Sequence, residues 1–135
     1  MKKNRLVITF LAIVIAMLCI VELRSQDALS QSIERGKDLY EGYCITCHLP
    51  NGKGIPGTFP PLAQADFLLQ NKRGSIDAIK NGMRGEVVVN GETYNTVMSP
   101  LGLSDEEVRD IMNYILNAWG NDGGSVTLKE VEAVN

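Results

Sequence analysis

The chain has 135 residues, 44% hydrophobic and 21% charged, with a formal net charge of -3, three cysteines and a single histidine. That length suits one domain, and the acidic balance argues against a nucleic-acid partner, which requires a basic face. One histidine excludes any site that needs two from the same chain.

The charge is unevenly placed. Residues 1–24 carry Lys2, Lys3, Arg5 and Arg24 against Glu22, whereas the remainder has nine Lys or Arg and fifteen Asp or Glu. A basic start followed by the apolar run Leu6 to Val21, broken only by Thr9, is the layout of an export signal. As a helix the run covers about 24 Å of a ~30 Å hydrocarbon core, a gap that snorkelling Lys3, Arg5 and Arg24 close. The small residues of Ala28-Leu29-Ser30 are separated from the run by Glu22, Arg24 and Asp27, and Leu18 is too large for lipoprotein processing at Cys19. Residues 1–24 are therefore expected to be an uncleaved anchor, with a removed signal peptide as the alternative. In both cases the basic end stays cytoplasmic and the remainder crosses the membrane. Residues 25–31 read as a polar tether.

A first helix is expected from Ser32, its cap, with Ile33, Gly36, Lys37, Tyr40 and Tyr43 at helical spacing. Glycine inside a helix costs about 1 kcal/mol relative to alanine, so Gly36 points to a second helix crossing closely. Cys44-Ile45-Thr46-Cys47-His48 follows. Two cysteines three apart with histidine directly after them read as a c-type haem attachment site. Each thiol adds across one vinyl group, and His48 then lies where it can bind iron as the proximal ligand. A thioredoxin-like dithiol expects a βαβ setting, which is missing. A structural zinc site needs about four ligands, and outside the motif there is only Cys19. A disulfide leaves His48 unexplained.

Leu49 to Leu62 is rich in glycine and proline and reads as a loop. Around a flat ring such backbone can pass close, and its carbonyls can accept the His48 ring N–H. Ala65 to Gln70 and Ser75 to Lys80 read as short helices, the second ended by Asn81-Gly82 with Ile76 and Ile79 inward. Asn90-Gly91 between Glu86-Val87-Val88-Val89 and Glu92-Thr93-Tyr94 predicts a hairpin with a type I′ turn. Ser104-Asp105-Glu106-Glu107 is a capping box opening a helix with Val108, Ile111, Met112, Ile115 and Trp119 along one stripe and Gly120 at its end. Residues 121–135 are expected to form a flexible tail.

The sixth iron position cannot go to a second histidine. Met112 lies on the apolar stripe and reads as core. Met83, in a flexible Gly-rich spot, could in principle reach iron. Met98, in an irregular segment stiffened by Pro100, is the expected ligand, and a thioether there favours ferrous iron.

Together these residues resemble a class I c-type cytochrome over about residues 32–120. Gly36 and Tyr40 are similar to that family's first-helix glycine and aromatic, Tyr114 to Trp119 to its C-terminal helix, and Pro60-Pro61-Leu62 to its Pro-x-Leu loop. The resemblance implies a mainly α fold of about four to five helices around one covalent haem c, with one short hairpin. It implies that the Pro60 carbonyl bonds His48, that Leu62 packs on the ring, and that Met98 is the distal ligand, although Ser99 separates Met98 from Pro100 where many members have Met-Pro. The run Gly54 to Leu69, with the hairpin, is similar to monohaem domains of respiratory enzymes.

The expected function is one-electron transfer between redox protein partners, with iron cycling between ferric and ferrous, no small-molecule substrate and no catalytic residues. One alternative is a fixed haem subunit of an oxidase, nitrite reductase or dehydrogenase complex. Another, of a different class, is a gas-binding sensor or haem enzyme, which requires Met98 not to bind.

Overall fold

In a computed structural model the backbone of residues 2–134 and the side chains of residues 10–134 are described, and the chain divides into two units, Met1–Gln31 and Ser32–Asn135. The side chains of Lys2, Lys3 and Arg5, on which the export reading begins, lie outside the described residues.

Helix α1 runs Lys2–Tyr43. Neither glycine nor proline occurs before Gly36, so nothing in the backbone interrupts it. The expected tether at 25–31 is helical, and Ser32 is an interior residue of the helix rather than its cap. In the first unit Phe10, Leu11, Met17, Leu18 and Val21 are all exposed. Among the described residues no helix is long and apolar enough to cross a membrane; the Leu6 to Thr9 side chains of the apolar run fall outside them.

The second unit contains the C-terminal part of α1 and every other element. These are α2 (Ile45–His48), α3 (Asp66–Gln70), α4 (Lys72–Asn81), strands β1 (Val87–Val89) and β2 (Glu92–Tyr94), α5 (Asp105–Asn117) and α6 (Leu128–Glu132). The unit is mainly helical, as expected, with one more short helix than expected among the described residues.

α5 is the central element. Ser104 Oγ accepts from Glu107 N, and Glu107 Oε2 accepts from Ser104 N, so the expected capping box closes. Val108, Ile111, Met112 and Ile115 are buried, as the stripe predicts, and so are Asp110, Asn113 and Leu116. The extra buried residues reflect neighbours on more than one side. Toward α1, Gly36 meets α5 so closely that a Cβ would collide with the Asp110 carbonyl and the Tyr114 Cβ. Asp110 accepts hydrogen bonds there from Ser32 Oγ (2.6 Å) and Arg35 Nε (2.6 Å). Burial by itself raises the Asp110 carboxyl, but its bonds from Arg35, Ser32 and Arg109 outweigh that and hold it below the usual carboxylate range.

The helix ends at Asn117, so Trp119 does not continue the stripe. It turns back at φ 54°, and its ring packs on Tyr40 and Tyr114 at centroid distances of 5.1 and 5.4 Å.

The expected loose tail is instead folded. Thr127 and Glu130 form a second capping box on α6, and Val126, Val131 and Val134 are buried. Asn113 holds Val126 through its backbone N–H (2.7 Å) and carbonyl (3.2 Å). Just at and beyond the end of α6, Lys80 Nζ donates to the carbonyls of Val131 (3.2 Å) and Val134 (2.7 Å), and Arg73 Nη1 to that of Ala133 (3.1 Å).

The hairpin pairs Val87 with Tyr94 and Val89 with Glu92. Asn90 and Gly91 both have positive φ, 52° and 80°, as a type I′ turn demands. Asp66 and Asn90 clasp this turn to α3, each side chain accepting from the other's backbone N–H at 2.7–2.9 Å.

Two alanine substitutions in α1 separate crossing from propensity. Gly36→Ala should destabilise by roughly 1–3 kcal/mol or more, since the contact is backbone and cannot yield cheaply. Gly42→Ala, with open space around it, should stabilise by up to about 1 kcal/mol. Urea unfolding of both variants checks this; a Gly36→Ala protein as stable as wild type means that the helices do not cross there.

Candidate functional site

The Cys44–His48 stretch forms one helical turn. Cys47 N and His48 N both donate to the Cys44 carbonyl, at 3.2 and 2.9 Å. Three residues apart on that turn, Cys44 and Cys47 share a face. Both thiols are free. Burial first, and Cys47 second, push the Cys44 thiol up to about 11, so it is protonated at neutral pH. Leu49, at φ 64°, breaks the turn and sends the chain into the loop.

The loop is tied down at several points. Gly54 N donates to the His48 carbonyl (3.0 Å), while Leu62 N and Ala63 N both donate to the Gly52 carbonyl (2.7 and 2.8 Å). Tyr40 Oη donates to the Leu49 carbonyl at 2.7 Å and Trp119 Nε1 to the Pro50 carbonyl at 3.0 Å. Gly54, at φ +61°, leaves no room for a Cβ against the Phe59 and Pro60 carbonyls. That packing brings the Pro60 oxygen to 3.0 Å from His48 Nδ1. A carbonyl oxygen only accepts, so Nδ1 carries the proton and Nε2 keeps its lone pair. Burial lowers the pKa of the imidazole, against the opposing effect of the Pro60 bond. The neutral ring is the form that ligates a metal.

Cys44, His48, Pro60, Leu62 and Met98 all line one cavity of about 660 Å³ including its open mouth; Met83, Ile79 and Ile111 are among its other walls. Cys47, on the same turn as Cys44, is half-buried and does not line it. Met112 is fully buried and is not part of the lining. The donor set of the lining is therefore one imidazole nitrogen, two thioether sulfurs and the Cys44 thiol, set among apolar walls. That chemistry fits a flat apolar macrocycle with a metal at its centre and does not fit a hydrated cation or a charged substrate. Among the described residues no three His, Cys, Asp or Glu side chains gather into a metal cage.

Two residues that position the site escape a reading of sequence. Asn121 accepts from Gln64 N (2.7 Å) and donates to the Leu62 (3.0 Å) and Ile115 (2.7 Å) carbonyls, fixing the loop to the end of α5. Thr96 Oγ1 donates to the Thr58 carbonyl at 2.7 Å, joining the Met98 segment to the same loop. Neither carries a motif, since an isolated Asn or Thr outside regular structure signals only a turn.

The family model described as Cytochrome c matches residues 33–119. Cytochrome c-552 of Thermus thermophilus is 42% identical over 83 residues, covering 58% of this chain and 63% of that protein. The cytochrome c subunit of the quinone alcohol dehydrogenase of Gluconacetobacter polyoxogenes is 31% identical over 101 residues, 71% of this chain and 21% of that one. Cytochrome c6 of Gracilaria tenuistipitata var. liui is 28% identical over 98 residues, 71% of this chain and 82% of that one. The chain thus spans less than two thirds of the two cytochrome c-552 sequences it matches, 63% and 56% of their lengths.

The Pro60 contact depends on Gly54. Gly54→Ala adds a side chain at a positive φ and against two carbonyls, and should destabilise by roughly 1–3 kcal/mol. The midpoint of denaturant unfolding is the readout; an unchanged midpoint means that the loop relaxes freely and does not hold His48.

Proposed function

We propose that this chain, which belongs to the cytochrome c family, transfers single electrons through one covalent haem c, whose iron His48 and Met98 would ligate. Members of this family bind haem c covalently, and when bound that group supplies a one-electron Fe(III)/Fe(II) couple. The observation that carries the reading is the shared cavity: His48 and Met98 line one apolar space whose edge holds Cys44.

Each residue has a distinct part. The Cys44 and Cys47 sulfurs form the two thioether bonds. His48 presents Nε2, its ring held by the Nδ1–H bond to Pro60. Leu62, with the other apolar walls of the cavity, would lie against the bound group and keep water away, which would favour the less charged ferrous state. Met98 would offer the iron a weak, soft thioether donor in the position that His48 leaves open. A closed site needs little rearrangement when an electron enters or leaves, which suits a carrier. The sole histidine is engaged as a ligand, and no carboxylate, lysine or tyrosine lines the cavity, so the cavity itself offers no further base of these kinds for chemistry on a small-molecule substrate.

A second reading, a fixed haem subunit of a larger oxidoreductase, is favoured by the relatives named as the cytochrome c subunit of a quinone alcohol dehydrogenase and as the cytochrome subunit of a fructose dehydrogenase. In either case the redox partners are proteins. The first unit supports an exported domain held at the periplasmic face of the inner membrane. Its basic start, sixteen-residue apolar run and exposed apolar side chains match an N-terminal anchor, and the uninterrupted α1 satisfies its own backbone as a bilayer requires.

Three measurements test these assignments. Replacing Cys44 and Cys47 together by alanine should leave no haem on the chain after acidified-acetone extraction; haem that resists extraction contradicts thioether attachment. Ferric wild-type protein should show the near-infrared charge-transfer band of Met–haem ligation, and the ferrous form should not take up CO. A missing band with ready CO uptake replaces the carrier by a gas-binding sensor or enzyme. N-terminal sequencing of protein from native membranes should find the apolar run intact, and a mature start near Gln31 would overturn the anchor.

A further inference from the structure

We infer that two thioethers serve the sixth coordination position: Met83 stands beside Met98 as a reserve ligand and binds the iron when the Met98 sulfur is lost. The inference rests on the reading of Met98 as the axial ligand, and goes beyond it in giving Met83 a role.

The geometry is that of a directly opposed pair. Met83 N donates to the Met98 carbonyl at 2.8 Å, and Met98 N donates to the Met83 carbonyl at 2.9 Å. Two residues that exchange both bonds form a hydrogen-bonded antiparallel pair, with Cα atoms about 5.5 Å apart and side chains on the same face. Here that face is the cavity, since both methionines line it. The pair keeps the register of the β1–β2 hairpin, which lies within the stretch that it closes off.

The backbone at this point is tightly drawn. A Cβ at Gly82 would crowd the Met98 carbonyl and the Pro100 ring, and Gly82 itself has φ +78°. Both bonds of the bridge are main-chain, so it survives replacement of either side chain. An unbranched methionine side chain with three rotatable bonds and a polarizable sulfur adapts to irregular gaps, and the displacement between neighbouring positions on one face is within its reach. The exchange itself is balanced: one sulfur–iron bond is broken and one formed, and no proton or electron moves. Loss of the first sulfur has a ready chemical route, because hydrogen peroxide oxidises methionine to its sulfoxide, delivering one oxygen atom and leaving water. If Met83 served only as wall, leucine would fill that place equally well, and this is what the experiment decides.

The test uses the haem-loaded full chain as wild type, Met83→Leu, Met98→Leu and the double variant, since leucine conserves the volume of methionine. The readouts are the ferric near-infrared thioether band and CO uptake by the ferrous form. The band should persist in both single variants and disappear only in the double variant, which alone should bind CO readily. A Met98→Leu protein that loses the band and takes up CO as fast as the double variant overturns the reserve role while leaving Met98 as ligand. A wild type without the band overturns both readings. Should Met98→Leu fail to fold, peroxide-treated wild type provides the same decision. Once mass spectrometry places the sulfoxide on Met98 and not on Met83, a retained band supports the reserve ligand and a lost band overturns it.

Discussion

Helices α1 and α5 cross in close contact where Gly36 lies against the Asp110 carbonyl. Everything around the cavity depends on that crossing. One turn along α1, Tyr40 joins Tyr114 and Trp119 in a cluster with ring centroids 5.1–5.4 Å apart. Through Tyr40 Oη and Trp119 Nε1 the cluster holds the carbonyls of Leu49 and Pro50, where the chain leaves His48. Gly52, which has no room for a side chain beneath the Trp119 ring, carries the same constraint into the loop. The position of the Pro60 oxygen on His48 is thus set from a helix crossing many residues away in sequence.

The walls of the cavity come from elements with little stability of their own. A five-residue helix and a hairpin of three-residue strands do not persist alone in water. They are held by side chains to backbone, as in the Asp66–Asn90 clasp, and by burying their inner faces. Those inner faces, including Leu68, Ile79 and Val89, are the ones that line the cavity. A group that fills the space therefore completes the core of these elements, so the fold and the cofactor are energetically coupled.

The parts of this architecture that could be read from the sequence are those with short-range rules. The Cys44–His48 turn, the Asn90-Gly91 hairpin and the Ser104–Glu107 cap each depend on a few adjacent residues whose chemistry has one good structural solution. Gly36 was readable for a different reason: its cost in a helix required a tertiary explanation. What escaped depends on partners distant in sequence. Ser32 has the chemistry of a cap, yet its hydroxyl is taken by Asp110 and Asn113. Trp119 fits the α5 stripe by spacing, yet its ring finds Tyr40 and Tyr114 by leaving the helix. The final segment also depends on distant partners. Thr127 and Glu130 offered the same capping signature as Ser104 and Glu107, but the helix that they open is only five residues long, too short for periodicity to register. It is anchored by Lys80 and Arg73 from α4.

The Asp110 carboxylate gives the crossing a dependence on acidity. Because its folded pKa lies below the ordinary value, the stability it contributes is fully present above the unfolded carboxylate pKa of about 4, and is lost as the pH falls through the lower folded value. Mild acid therefore leaves the Ser32–Arg35–Arg109 cluster intact, and the domain keeps its central cross-link through the range in which ordinary surface carboxylates begin to titrate. A protein working outside the cytoplasm, as proposed for this one, has no cytoplasmic buffer around it. Melting temperatures recorded from neutral pH downward should stay level until well into the carboxylate range in wild type, and decline earlier where Asp110 has lost Arg35.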